Sequence, residues 1–150
     1  MPTDTETRRL VLATGGGSVG RCREFARDVL TGWGWTPAAE GERGEVVRDV
    51  LLIVSELVTN AAVYAEGPIE LRLVRSAVGL RVEVADCNPE PPVMRRGGDR
   101  ALPGGHGLRV VDLLSWSWGS RADVHGKTVW SEIAAPPADL ASPPRPAGPG

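Results

Sequence analysis

The chain has 150 residues, a formal charge of -2 at neutral pH and a pI of about 5.7. This length allows one domain with a substantial core and leaves little room for a second. A general binder of the nucleic-acid backbone would present a basic surface, so direct nucleic-acid binding is not expected. No apolar run approaches the roughly 20 residues of a membrane span, and the N-terminus lacks a secretory apolar core. We therefore expect a cytoplasmic protein.

The first half of the chain predicts one strand followed by two helices. Residues 8–14 (RRLVLAT) have a short apolar centre and run into a glycine-rich turn, which indicates a strand. Apolar residues at helical spacing predict a helix from Ser18 to about residue 30. The same periodicity predicts a longer helix over residues 45–65, ended by Gly67 and Pro68.

The second half predicts two hairpins separated by a short helix. Residues 69–76 and 80–87 alternate apolar and polar side chains, which is typical of a hairpin. Residues 88–105 are rich in Pro, Gly and Arg, as functional or disordered loops are. A helix at 107–114 and a hairpin within 115–134 complete the order βααββαββ. This order predicts an α+β, two-layer sandwich: a mostly antiparallel mixed sheet covered on one face by about three helices.

The domain boundaries follow from composition. Residues 8–134 are predicted to form the folded domain, preceded by a flexible N-terminus over 1–7. Residues 135–150 (PPADLASPPRPAGPG at their C-terminal end) are dominated by Pro, Ala and Gly and predict a disordered tail. Cys22 and Cys87 match no metal or redox pattern, so both are expected to be free thiols.

Three polar side chains stand out against this apolar pattern. Glu56 and Asn60 are four residues apart on the longer helix, so they emerge on one face. An ordinary solvated face of an amphipathic helix would look the same. Asp86 ends the strand LRVEVAD, where it either serves a site or simply opens a turn through hydrogen bonds to nearby backbone.

Two further stretches have the composition of a binding site. In GGHGL, the backbone N–H groups of Gly105, Gly107 and Leu108 could approach an anion at a helix N-terminus. Thr128 in GKTVW begins the last strand, and its alternative role is that of a β-branched residue favouring that strand. Neither stretch alone identifies a ligand.

Taken in order, SELVTNA, VEVADCNPEPP, GGHGLRVVD and GKTVW resemble the motifs of the GHKL superfamily of ATP-binding domains. They are similar to its N box, its first and second glycine boxes and its final strand, and the resemblance spans residues 8–134. The chain has no predicted dimerisation helices and no helix pair with a phosphoacceptor His. It is therefore most similar to the small serine/threonine kinases related to anti-sigma factors.

This resemblance implies roles for the polar side chains. Asn60 would bind Mg²⁺ through its amide oxygen, which suits a hard cation that also takes phosphate oxygens and water. Asp86 would accept a hydrogen bond from the exocyclic amine of adenine, and Thr128 would support the same edge directly or through a water. Glu56 would orient or deprotonate the attacking hydroxyl.

The same resemblance implies that the backbone amides of Gly105, Gly107 and Leu108 close over the phosphates of ATP. The function it implies is an ATP- and Mg²⁺-dependent serine/threonine protein kinase of the anti-sigma-factor type. Its substrate would be a small regulatory antagonist protein, a sigma factor is a candidate second partner, and homodimerisation is left open. The alternatives are a non-catalytic, ATP-gated module that sequesters a transcription regulator, and an interaction domain that binds no ATP.

Overall fold

A computed structural model describes residues 5–12, 18–35, 42–65, 67–92 and 107–134. Its elements follow the predicted order βααββαββ. They are β1 (Glu6–Val11), α1 (Ser18–Gly32), α2 (Glu42–Tyr64), β2 (Pro68–Arg75), β3 (Gly79–Asp86), α3 (Gly107–Leu114), β4 (Ser117–Ala122) and β5 (Lys127–Ala134). The predicted α+β architecture is thereby confirmed. The described part of the chain contains no helix both long and apolar enough to cross a membrane.

The five strands form one sheet in the order β1-β2-β3-β5-β4. All neighbouring strands within it are antiparallel, so the described strands contain no parallel pair. The central strand β3 lies between β2 and β5, and its last residue, Asp86, pairs with Pro68 on one side and Lys127 on the other. The pairing therefore brings the start of β2, the end of β3 and the start of β5 to one end of the sheet.

The alternation of side chains along the strands separates a core face from a charged face. Leu80, Val82 and Val84 of β3 are buried, whereas Arg81 and Glu83 lie on the opposite face. The buried face packs against the helices, since α2 contacts β2 and β3 and also packs on α1 and α3. Fully burying one aliphatic side chain contributes about 1.5–3 kcal/mol, so the pattern favours one register strongly.

Helix α1 and the residues that follow it close one side of this core. Cys22, Ala26 and Leu30 recur at helical spacing and are fully buried. Trp35 is also fully buried, and its backbone N–H donates to the Leu30 carbonyl at 2.8 Å. The chain thus folds back under α1 immediately after that helix ends.

The first strand differs from its prediction. It begins at Glu6 rather than Arg8, inside the segment expected to be flexible, and ends at Val11. Glu6 pairs with Arg75 of β2, and the Arg75 guanidinium donates to its carboxylate at 2.9 Å. Pairing across the chain extends the strand beyond its apolar centre. Thr5 precedes the strand without regular secondary structure, and residues 1–4 and the predicted tail over 135–150 lie outside the described residues.

Candidate functional site

Several predicted site residues in the described part of the chain lie on segments that meet at one end of the sheet. Helix α2 ends at Tyr64, and the chain then turns so that the Gly67 N–H donates to the Ala61 carbonyl at 2.9 Å. Strand β2 begins directly afterwards at Pro68, the residue that pairs with Asp86. The C-terminal end of α2, which carries Asn60, is therefore close in the fold to the end of β3.

Asp86 is the best-defined polar group at this end. Its side chain is only 1% exposed. Its Oδ1 accepts the Asn88 backbone N–H at 2.8 Å. The Lys127 ammonium lies 3.1 Å from Oδ1 and 3.0 Å from Oδ2 and also donates to the Asn88 carbonyl at 3.0 Å. Asp86 is thus part of a buried ion pair that fixes the backbone leaving β3, rather than a solvated residue that merely opens a turn.

Lys127 was not assigned to the site from the sequence, yet it is 96% buried at its side chain and contacts Asp86 directly. The two residues are register partners across β3 and β5. The alternation of residues in the last strand could have indicated that Lys127 is buried. Val129 and Ile133 are core residues of the last strand, and period-two alternation from them places residue 127 on the same face. A lysine on a core face requires a partner, and that requirement points to a buried acid.

Thr128 lies one residue further along and is placed differently. It pairs with Ala85 rather than Asp86, and it is buried. The β3–β5 register runs without a shift, so alternation directs the Thr128 side chain to the face that carries Trp130. The structure therefore brings Lys127, and not the Thr128 hydroxyl, to the Asp86 carboxylate.

Glu56 and Asn60 on α2 differ in how deeply they are buried. Asn60 is 6% exposed, whereas Glu56, one helical turn earlier, is half-buried. Among the described residues, the fully enclosed side-chain nitrogen and oxygen atoms without a hydrogen-bond partner are Trp33 Nε1 and Trp35 Nε1, so the Asn60 amide is not an enclosed, unsatisfied group. Asn60 therefore combines a largely buried side chain with an amide that a ligand can still reach.

These residues could bind a magnesium ion only together with a ligand that supplies further oxygen atoms. The described residues contain no group of three His, Cys, Asp or Glu side chains able to hold a metal. Mg²⁺ is commonly bound by one or two protein oxygens together with substrate phosphates and water. The single amide oxygen of Asn60 is compatible with that mode of binding.

Helix α3 carries two further predicted residues, Gly107 and Leu108. It begins at Gly107 and packs on α2, the helix that carries Glu56 and Asn60. The Leu108 side chain is 2% exposed and belongs to the core, which leaves its backbone amide for a ligand. Gly105 lies outside the described residues.

Comparison with known proteins agrees with this arrangement. A family model described as a histidine kinase-like ATPase domain matches residues 16–132, which is most of the chain and includes every predicted site residue. No curated protein matches the chain significantly.

Proposed function

The chain belongs to the histidine kinase-like ATPase domain family, and from this premise we propose that it is an ATP-binding regulatory serine/threonine protein kinase of the anti-sigma-factor type. It transfers the γ-phosphate of ATP to a hydroxyl of a small regulatory antagonist protein. A sigma factor is the proposed second partner, and homodimerisation and a cytoplasmic location belong to the same proposal.

The observation that carries the proposal is the Asp86 carboxylate at the end of β3. An ionised carboxylate has about four acceptor positions. Within the described residues, contacts with Asn88 and Lys127 use two on Oδ1 and one on Oδ2. By this count Oδ2 has the capacity to accept one more hydrogen bond, and the exocyclic amine of adenine is a donor of the required kind. A carbonyl at the same position of the base would meet the carboxylate unfavourably.

The chemistry divides among the other residues. The Asn60 amide oxygen is available to Mg²⁺, which would neutralise charge on the phosphates. The hydroxyl oxygen of the substrate serine or threonine attacks the γ-phosphorus, and Glu56 accepts the proton of that hydroxyl. The bond from that phosphorus to the β,γ-bridging oxygen breaks, and ADP leaves. Asn60 and Glu56, one helical turn apart on α2, thus serve nucleotide binding and proton transfer respectively.

The test is transfer of labelled γ-phosphate from Mg-ATP to candidate antagonist proteins. We expect a phosphoprotein with the wild type and a loss of about 10² or more in rate with Glu56→Gln, the usual contribution of a general base. Glu45→Gln is the matched control, because it makes the same change at an exposed position of the same helix. A stable ATP-dependent complex without phosphoprotein would instead establish the non-catalytic, ATP-gated module.

A further inference from the structure

Lys127, which the sequence reasoning had not assigned to the site, stands beside Asp86. We propose that Lys127 is a positioning residue that determines base specificity, by fixing the Asp86 carboxylate so that Oδ2 faces the amine of adenine. The inference rests on the proposed function, because it assumes that the base contacts Asp86. It adds a residue that neither the motif resemblance nor the family match assigns.

The contacts of the ammonium support a role through Asp86 rather than on the nucleotide itself. A lysine ammonium has three N–H donors. Lys127 Nζ donates to Asp86 Oδ1 at 3.1 Å and to the Asn88 carbonyl at 3.0 Å, and Asp86 Oδ2 lies 3.0 Å away as an ion-pair contact. The contacts of the ammonium among the described residues are thus with Asp86 and Asn88, and its side chain is only 4% exposed, so it is enclosed rather than open to a base. Selectivity then depends on the one acceptor position left on Asp86.

The same contacts explain why a cation suits this position. The Asn88 backbone donates to Asp86 Oδ1 and also accepts from Lys127, so the three residues form a closed set of hydrogen bonds. A hydroxyl has one donor and could not bridge both carboxylate oxygens and a carbonyl. The ammonium thus holds the carboxylate plane and the backbone that follows β3 in one arrangement. A donor arriving at Oδ2 finds the acceptor already oriented.

The experiment compares the affinities of ATP and ITP, with Mg²⁺, for the wild type and Lys127→Met. Inosine carries a carbonyl where adenine carries its exocyclic amine, and the phosphates of the two nucleotides are identical. We expect the wild type to prefer ATP by at least about tenfold, and K127M to bind both within about twofold of each other, mainly through weaker ATP binding. A purely structural role would weaken both nucleotides equally and leave their ratio unchanged.

Arg81→Met is the matched control. Arg81 is another cation of the β3–β5 pair, but it lies on the opposite face and pairs with Glu83 and Glu132. Its removal breaks one ion pair within β3 and one between β3 and β5 without reaching Asp86, so the ATP to ITP ratio should stay at the wild-type value. A ratio that fell equally in R81M would attribute the effect to sheet stability and overturn the proposal.

The outcomes separate the inference from the function on which it rests. If the wild type binds ATP and ITP equally, the adenine contact of Asp86 is wrong and the inference fails with it. If the wild type and K127M both prefer ATP over ITP to the same extent, the positioning role of Lys127 is overturned, while the proposed adenine contact of Asp86 stands.

A second comparison applies even if K127M does not fold. The double variant D86N/K127M leaves no unpaired buried charge, and its ATP affinity should be no lower than that of D86N, because Lys127 acts only through residue 86. A further loss in the double variant would show that Lys127 contributes to nucleotide binding by another route and would contradict the positioning role. The D86N variant alone should lose about tenfold in ATP affinity, since its amide turns a donor toward the adenine amine.

Discussion

Glu56 and Asn60 are neighbours on one face of α2, but their burial differs and so do their proposed tasks. Asn60 is almost fully buried with an amide that a ligand can still reach, which suits a ligand-binding role. Glu56 is half-buried, so its carboxylate can reach a hydroxyl brought by a second protein. The family resemblance proposes a site role for both residues, and their difference in burial fits the proposed division between metal binding and proton transfer.

Substitutions of these two residues should therefore have different effects on nucleotide affinity. Asn60→Ala removes the proposed metal ligand, so the enhancement of ATP affinity by Mg²⁺ should fall and phosphotransfer should disappear. Glu56→Gln keeps the side-chain shape, so Mg-ATP affinity should stay within a few-fold of wild type. Isothermal titration with and without Mg²⁺ measures both. Normal Mg-ATP binding by both folded variants would show that this face is only a solvated helix surface.

At the scale of elements, the turn between β4 and β5 determines where Lys127 stands. Gly126 has a φ of +156° and is buried against the backbone that leaves β3. A Cβ at this position would lie 2.6 Å from the carbonyl carbon of Cys87 and in still closer contact with the Asp86 carbonyl oxygen. Backbone cannot move aside as a flexible side chain can. The glycine therefore allows β5 to start beside Asp86.

We expect Gly126→Ala to destabilise the fold by about 1–3 kcal/mol, the usual cost of overpacking, and to weaken ATP binding by displacing Lys127. Urea denaturation and nucleotide titration measure the two effects. Gly20→Ala on α1 is the matched control, because a Cβ there has no heavy atom within 4 Å and alanine favours the helix. Wild-type stability in G126A would show that the turn has room to adjust.

The charged face of the sheet is held by ion pairs that run across the strands. Glu83 accepts from Arg72 at 2.6 Å and from Arg81 at 2.7 Å, and these cations also contact Glu70 and Glu132. Burial opposes ionisation of Glu83, but the hydrogen bonds from Arg81 and Arg72 outweigh it, and the pKa of its carboxyl is lowered below 4.5. The folded state therefore holds the ionised form more strongly than the unfolded chain does.

This network should make stability depend on acid pH. A lowered folded pKa contributes stability that is present above the unfolded value of 4.5 and is lost as pH falls through the folded pKa. Glu83→Gln should cost about 1 kcal/mol at pH 7 and much less at pH 3. Urea midpoints at the two pH values measure this, with Glu24→Gln at an exposed position of α1 as the control. If E83Q lost the same unfolding free energy at both pH values, the loss would come from altered packing rather than from the charge of Glu83.

At the scale of the whole molecule, the core is shared by α1, α2, α3 and the inner face of the sheet. Cys22 of α1 is fully buried in that core, while Cys87 is exposed at the exit of β3. Burial raises the pKa of the Cys22 thiol to about 11, above its ordinary value of 9.0, with a smaller opposing effect from Arg21. Reaction of the Cys87 thiol therefore reports on access to the surface, and reaction of the Cys22 thiol reports on opening of the core.

A thiol reagent at pH 8 should modify Cys87 rapidly and Cys22 only as the core opens, so the native protein should show one fast and one slow phase. Cys87→Ser should remove the fast phase alone. Stability should also fall between pH 9 and 11, because the unfolded Cys22 loses its proton before the folded one. Two fast thiols in the native protein would contradict a closed core around α1.

Local patterns in the chain were enough to predict the order of the elements, the α+β architecture and the positions of Glu56, Asn60 and Asp86 on those elements. Helical and strand periodicities are local, so α2 and the alternating residues of β3 could be read without knowing any partner. The tertiary structure alone decided the strand register, because pairing joins residues far apart in the chain. That register extends β1 to Glu6, and it sets Lys127 beside Asp86 across 41 residues, with Thr128 on the other face. Successive residues of a strand lie on opposite faces, and for this reason the register places Lys127 on the face of Asp86 and Thr128 on the other face.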